Sequence, residues 1–316
     1  MERNLQLQRQ ADEALTRAEG HKKLCLIFWG ITALVALLVE LVCLLIDGGI
    51  AQTGGLSGME LRSLLETVQT MLPLLQAALL PFWMAGYTAS MLRIAREQET
   101  RPAHLLTGFR LFGPVLRLNI LIVIIGFVAA FLCVQVCTVI LSFTPLSDQL
   151  YTLMMSQPEN DPAVQEAILK TMEPIVWIIS VFCLLALVPL SYFLRLARLR
   201  LLDAPKEGAR QATIISIRLM RGNCLRLFLL DLRFWWFYLA QAVVVALAYG
   251  GELLAACGVS LPMSATSVFF LFYALSLGAE LALFYCWRNR VDVTYAKFYL
   301  DLLPKEEPNE HREAVL

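Results

Sequence analysis

Two carboxylates, Glu40 and Glu280, stand inside long apolar runs of this 316-residue chain. A charge at the centre of a bilayer costs at least ~2.5–3.5 kcal/mol on insertion scales, so an acid kept there is a candidate for proton or solute handling. At about 1.5 Å per residue from the ends of their runs, Glu40 lies about 9 Å below the outer boundary and Glu280 about 10 Å above the inner one. The two therefore do not face each other. Gln76 and Gln135 fall near the depth of Glu40, and Gln241 near that of Glu280, which makes an outer and an inner polar layer. One reading is two stations on a proton or solute path. The other is neutral carboxyls hydrogen-bonding amides between helices, worth ~0.6–2 kcal/mol each. The second is favoured, because only two such acids exist and neither has a basic partner in the apolar core.

A second group is cationic: Arg195, Arg198, Arg200, Arg218, Arg221, Arg226 and Arg233. Guanidinium groups at a membrane boundary can hold the phosphate of an anionic lipid head group, although topology and snorkelling from helix ends demand the same residues. Soluble-enzyme constellations are absent. His21, His104 and His311 are too far apart in sequence to suggest a zinc site. No phosphate-cradling glycine loop or nucleophile elbow occurs. Cys133 and Cys137 lie one helical turn apart in apolar surroundings, where thiols are inert packing groups. No catalysis, metal or cofactor is expected.

The elements that must position these groups are six apolar runs, about 24–46, 64–92, 115–143, 174–194, 234–254 and 266–287. Each is long enough to cross a hydrocarbon layer about 30 Å thick. All but Arg62 and Lys170 of the 26 basic residues fall in alternate gaps, which places both termini in the cytoplasm. The opposite gaps carry Asp47, Glu60, Asp148, Glu159, Asp161, Glu166, Glu173 and Glu252. With 58% apolar and 16% charged residues, no segment outside the runs can bury its own core. The expected fold is an all-α integral membrane protein with six transmembrane helices. Residues 1–21 form a cytoplasmic helix on Leu5, Ala11, Leu15 and Ala18, 22–303 the six-span domain, and 304–316 a disordered cytoplasmic tail. The first run lacks a small-x-small cleavage pattern and reads as an uncleaved anchor. The eight cysteines lie in or beside runs and read as small buried hydrophobes.

The two cytoplasmic connections echo each other. The first has Pro81, Arg93-Ile-Ala-Arg96, Pro102, Arg110-Leu-Phe-Gly113 and Leu116-Arg117-Leu118. The second has Pro189, Arg195-Leu-Ala-Arg198, Pro205, Arg218-Leu-Met-Arg-Gly222 and Leu225-Arg226-Leu227. Either a parallel helical-hairpin repeat or convergence at inner membrane boundaries gives this pattern. Thr100 and Asp203 are the expected N-caps, with Pro102 and Pro205 just inside. Ala209, Ala212, Ser216, Leu219 and Met220 form a helical stripe able to rest on the inner leaflet. Outside, Pro158 to Pro162 reads as a turn and Ala163–Met172 as a short helix. Trp29, Trp235, Trp236 and Trp287 mark inner span ends, and Trp177 and Tyr249 outer ones. Ala274, Gly278 and Ala282 form a small-residue stripe for close packing, within the chain or in a dimer.

Leu190-Ser-Tyr192, Asp203-Ala-Pro205, Ser216-Ile-Arg-Leu-Met-Arg-Gly-Asn223, Arg226-Leu-Phe-Leu-Leu-Asp-Leu232 with Phe234, and Ala296-Lys-Phe-Tyr-Leu-Asp-Leu302 form a recognisable series. On these residues the chain from Leu190 onward resembles the bacterial membrane family called domain of unknown function 975. Trp235-Trp-Phe237 departs from the family's single Trp, no Pro-Tyr pair precedes Tyr295, and the N-terminal half matches only in hydropathy. The resemblance implies a multi-spanning bacterial membrane protein without an established activity, and an ion pair of Asp231 with Arg226 or Arg233. The expected function is a non-catalytic accessory or scaffold protein of the bacterial cytoplasmic membrane. Its partners would be the lipid bilayer, anionic head groups, and a membrane protein or a second copy, but no nucleic acid. The alternative is a small proton- or solute-coupled transporter using Glu40 and Glu280.

Overall fold

A computed structural model describes residues 2–18, 20–52, 58–145, 162–258 and 265–304, and every regular element among them is helical. The middle of the long connection, residues 146–161, and the tail, residues 305–316, lie outside the described residues. The chain divides into two units, Met1–Leu116 with Leu225–Leu316, and Arg117–Cys224.

In the first unit, α1 (Glu2–Arg17), α2 (His21–Gln52) and α3 (Gly58–Ala95) are followed by a 3₁₀ turn, Pro102–Leu106, and a single helical turn, α4 (Thr107–Arg110). Next, α5 (Phe112–Ser142) begins, crossing into the second unit after Leu116. The second unit continues with α6 (Pro162–Leu194), α7 (Ala197–Asp203), a 3₁₀ turn Pro205–Glu207, and α8 (Gly208–Met220). The chain re-enters the first unit in α9 (Cys224–Arg233) and runs through α10 (Trp235–Ala248) and α11 (Gly250–Ala256). It then passes along α12 (Ala265–Leu283), a π-helical turn Phe284–Arg288, and α13 (Asn289–Leu302).

Five segments are long and apolar enough to cross a membrane: His21–Ile46, Arg62–Ala95, Phe112–Ser142, Lys170–Asp203 and Ser267–Leu302. The fifth expected run is not one straight helix. It is preceded by a 62° bend between α9 and α10, and the two together make a sixth candidate crossing. Tyr249 then interrupts the run before α11. The interruption has a local cause in Gly250-Gly251, since paired glycines weaken a helix. Their missing side chains also let α11 close on α12, where a Cβ on Gly250 would lie 2.4 Å from the Phe272 ring and one on Gly251 2.8 Å from Val268. The sixth run continues well past residue 287, because Val291, Val293, Ala296, Phe298 and Tyr299 of α13 are buried against α1 and α3.

The expected N-caps move by one residue, for one physical reason. A residue before proline is pushed out of the helical region, so each 3₁₀ turn starts from the residue directly ahead of its proline. Arg101 is extended at φ −122°, ψ 152° ahead of Pro102, and Ala204 is non-helical at φ −132°, ψ 73° ahead of Pro205. Asp203 instead ends α7, which buries Ala197, Leu199 and Leu201. Ala163–Met172 is no separate helix but the start of α6, continuous through Pro174. Both connections thus consist of a proline-led 3₁₀ turn and an α-helix. The unit boundaries fall at Leu116-Arg117 and Cys224-Leu225, matching places in the echo. The connections differ in length: α4 has 4 residues and α8 has 13.

The N-terminal helix is a packed element. Its buried face is Asn4, Leu7, Gln8, Ala11, Ala14 and Leu15, so Leu7 replaces the expected Leu5, which is exposed. Hydropathy alone cannot separate these leucines; the partner helix α13 does. Asn4 Nδ2 donates to the Arg226 carbonyl at 3.1 Å, and Arg226 Nη2 donates to Asp301 at 2.6 Å. At the solvent edge Arg3 meets Asp301 at 3.0 Å, Arg290 meets Asp12 at 2.7 Å and Arg17 meets Glu97 at 2.7 Å. These exposed pairs contribute little each, and apolar burial dominates. Leu7→Ala is expected to cost about 2–3 kcal/mol and to expose α1 to limited proteolysis. Leu5→Ala should leave both melting and digestion within about 0.5 kcal/mol of wild type, and the reverse order would show that α1 docks by another face.

Candidate functional site

The intramembrane acids are half-buried. Glu40 on α2 and Glu280 on α12 both lie within electrostatic reach of the Tyr273 hydroxyl on α12. Gln76 and Gln241 are half-buried in the same unit, and Gln135 is exposed on the second-unit part of α5. Among the described residues no hydrogen bond joins Glu40 to Gln76 or Glu280 to Gln241. Neither acid forms an ion pair among the described residues, and Arg288, two turns beyond Glu280, is paired with Asp292. The small-residue stripe also differs from a packing seam inside the chain: Ala274, Gly278 and Ala282 are exposed, and a Cβ on Gly278 would touch nothing within 4 Å.

Arg288, which the sequence analysis does not name, anchors a cluster. It sits in the π-helical turn, a feature frequent at functional sites. Its Nε donates to Asp292 at 2.8 Å. Its guanidinium carbon lies 5.3–5.9 Å from the ring centres of Phe284, Trp29 and Phe237. Next to it Phe28 stacks on Tyr87 at 4.5 Å and on Trp83 at 5.1 Å. The Tyr87 hydroxyl donates to Asn289 Oδ1 at 2.9 Å, and Asn289 Nδ2 donates to the His21 carbonyl at 3.2 Å. Cys25 Sγ donates to the Phe284 carbonyl at 3.5 Å. Trp83 Nε1 donates to Thr32 at 2.9 Å, and Trp29 lies edge to face with Tyr87 at 5.8 Å. The cluster ties α2, α3, α10 and the sixth run together at one level. The signal in the sequence was Arg288-x-x-x-Asp292 behind Trp287, an i,i+4 pair placed where aromatic rings gather. Trp236 and Trp287, expected only as boundary markers, meet edge to face at 5.4 Å.

The predicted arginines fall into two sets. Arg200 forks onto Glu207, with Nε at 2.9 Å. Arg226 is taken by Asp301 and Asn4, and Asp231 accepts a hydrogen bond from the Tyr295 hydroxyl. The expected pairing of Asp231 with Arg226 is thereby corrected: Arg226 pairs with Asp301 of α13 at 2.6 Å, and the Tyr295 hydroxyl of the same helix reaches Asp231. Arg195 stands 5.9 Å from the Tyr192 ring, and Arg198 reaches Asn119 Oδ1 at 3.4 Å.

Arg218, Arg221 and Arg233 are exposed and make no ion pair among the described residues, and the same holds for Arg117 and Arg210, which the sequence reading did not single out. On α8 these charges have a defined setting. The buried stripe is Ala209, Ala212, Thr213, Ser216 and Met220, packed against α6 and α7, and Ser216 donates to the Phe193 carbonyl at 2.7 Å. The alanine stripe is therefore spent within the chain and does not face a leaflet. The opposite face presents Arg210, Ile214, Ile217, Arg218 and, just past the helix end, Arg221, all exposed. Interleaved isoleucines and arginines on one outward face match an interfacial helix.

Apolar helices of spanning length, with few charges inside them and an amphipathic helix beside them, define a multi-pass helical membrane protein. Over residues 1–306 the chain matches the family described as protein of unknown function, DUF975, and it belongs to that family. The match reaches residue 1, far beyond the C-terminal third whose motifs carry the resemblance. No curated protein and no solved structure matches the chain.

Proposed function

We propose that this is a non-catalytic accessory or scaffold protein of the bacterial cytoplasmic membrane. It crosses six times with both ends in the cytoplasm, and it holds anionic lipid or a membrane-protein partner on its basic inner face. The observation that carries this reading is the outward face of α8. Arg210, Arg218 and Arg221 flank exposed Ile214 and Ile217 on a helix whose other face is already buried. A basic residue near an anionic leaflet contributes about 1 kcal/mol, and apolar side chains beside it gain by entering the head-group region. The absence of His, Cys or carboxylate constellations in the sequence supports a binding role over a catalytic one.

Native mass spectrometry of the purified full chain tests this. Wild type should retain phosphatidylglycerol over phosphatidylcholine. At about 1 kcal/mol per charge, Arg210→Gln, Arg218→Gln and Arg221→Gln together should lower that preference at least tenfold without changing the melting temperature. Equal retention of the two lipids by wild type would overturn the lipid reading. Retention of a preference by the triple variant would move the contact away from α8.

A further inference from the structure

The first connection holds a cluster of donors that lacks an acceptor. A neutral imidazole carries one N–H and one lone pair. At His104 two donors converge on that lone pair. The Arg101 backbone N–H reaches Nδ1 at 3.0 Å, while Arg93 Nη1 stands 2.8 Å from Nε2 and 3.4 Å from Nδ1. Whichever nitrogen holds the proton, one N–H faces another. Keeping the lone pair for the Arg101 N–H, which starts the 3₁₀ turn, puts the proton on Nε2. Nε2–H and the Arg93 guanidinium then share a space that needs an oxygen acceptor.

The surroundings have one dominant sign. Burial first, then Arg93, Arg101 and Arg110, hold the His104 pKa below the usual histidine value, so the ring is neutral near pH 7. Of the nearby acids, Glu99 lies 3.7 Å from Arg101, and Glu97 is taken by Arg17 and Lys297. The first turns of α2, which also touches the 3₁₀ turn, carry only Lys22 and Lys23 as charged groups besides His21. The arrangement is held by backbone contact. A Cβ on Gly86 would lie 1.7 Å from the Leu105 carbonyl oxygen and one on Gly108 1.8 Å from that of Phe82. The turn is thus seated directly on α3, beside Arg93.

We propose that Arg93 and His104 form a binding site for a phosphate-bearing anion, whose oxygen accepts from His104 Nε2 and from the Arg93 guanidinium. This site is in the first unit and stands whether or not α8 binds lipid. The ligand is either free phosphate or the phosphate of a lipid head group, and both present the same oxygens.

The test follows the ring directly. The full chain, labelled with ¹⁵N-histidine, is placed in phosphatidylcholine nanodiscs; its 3 histidines give few signals, and His104→Gln assigns one. Inorganic phosphate should shift the His104 nitrogens and raise the apparent pKa by about 1 unit or more, as an opposite charge within about 4–6 Å does. Chloride at equal ionic strength should not. Arg93→Gln should weaken the response several-fold, and Arg110→Gln, which removes a nearby charge but no donor, should weaken it less; the exposed Arg110 is the variant least able to disturb folding. The same shift in phosphatidylglycerol nanodiscs without added phosphate would assign the site to lipid. Its absence there, with a response to phosphate, would assign it to a soluble anion. No response to either, or an equal response to chloride, would overturn the site.

Discussion

Gly86→Ala is expected to unseat the first connection and cost about 4 kcal/mol or more, a size reserved for core disruption and steric conflict. The reason is the identity of the neighbour. A methyl at Gly86 would meet a backbone carbonyl, Leu105 O at 1.7 Å, with its carbon at 2.5 Å. No rotamer change relieves such a clash; the 3₁₀ turn must lift off α3. Gly108→Ala meets the Phe82 carbonyl in the same way, with 1.8 Å to the oxygen. Lifting the turn would also break the stack of Phe82 on Phe112 at 4.5 Å and draw His104 from Arg93. Gly30→Ala is the control. It lies in α2 with nothing within 4 Å of a built Cβ, so alanine there should stabilise the helix by about 0.5–1 kcal/mol. Melting curves in detergent for the three variants, read with protease sensitivity of the segment after residue 95, give the answer. A Gly86→Ala protein that melts with wild type would mean that the turn does not rest on α3.

That contact shows where sequence reasoning stops. Five of the six apolar runs, and Ala209, Ala212, Ser216 and Met220 as one stripe of α8, were legible, because hydropathy and 3.6-residue periodicity are local properties. Leu7 against Leu5 was not, since either leucine gives α1 an amphipathic face and only α13 decides between them. At the two connections the steric rule at proline outweighs the capping oxygens of Thr100 and Asp203, so the turns start at Arg101 and Ala204. Gly86 carries no mark distinguishing it from Gly30. Topology does not distinguish Arg288, because a charge that closes a span and a charge that organises a packed cluster have the same letter; only its spacing from Asp292 marks it. Glu40 and Glu280 were singled out by cost alone, and cost does not name a neighbour. Tyr273, placed near both, was hidden among the aromatic residues of an apolar run.

Arg288→Met should destabilise the protein by roughly 3 kcal/mol, because it strands Asp292 in a part-buried setting. The pair is compact: Arg288 Nε to Asp292 is 2.8 Å, with side-chain exposures of 21% and 19%. Asp292→Leu alone should cost a similar amount by stranding the guanidinium. The double variant Arg288→Met/Asp292→Leu separates two contributions. If the ion pair is what the cluster needs, removing both charges restores most of the loss, as replacement of buried pairs by apolar groups often does. If the guanidinium matters chiefly through Trp29, Phe237 and Phe284, the double variant stays as unstable as Arg288→Met. Arg288→Lys then also fails, since an ammonium keeps the charge but not the flat face that lies against three rings. The geometry favours the second result: three ring centres lie within 6 Å of one guanidinium carbon, and Asp292 sits one turn away, where it orients the fork. Equilibrium melting of the four variants in one detergent decides between them. A double variant no more stable than Arg288→Met would assign the stabilisation of this turn to its aromatic seat.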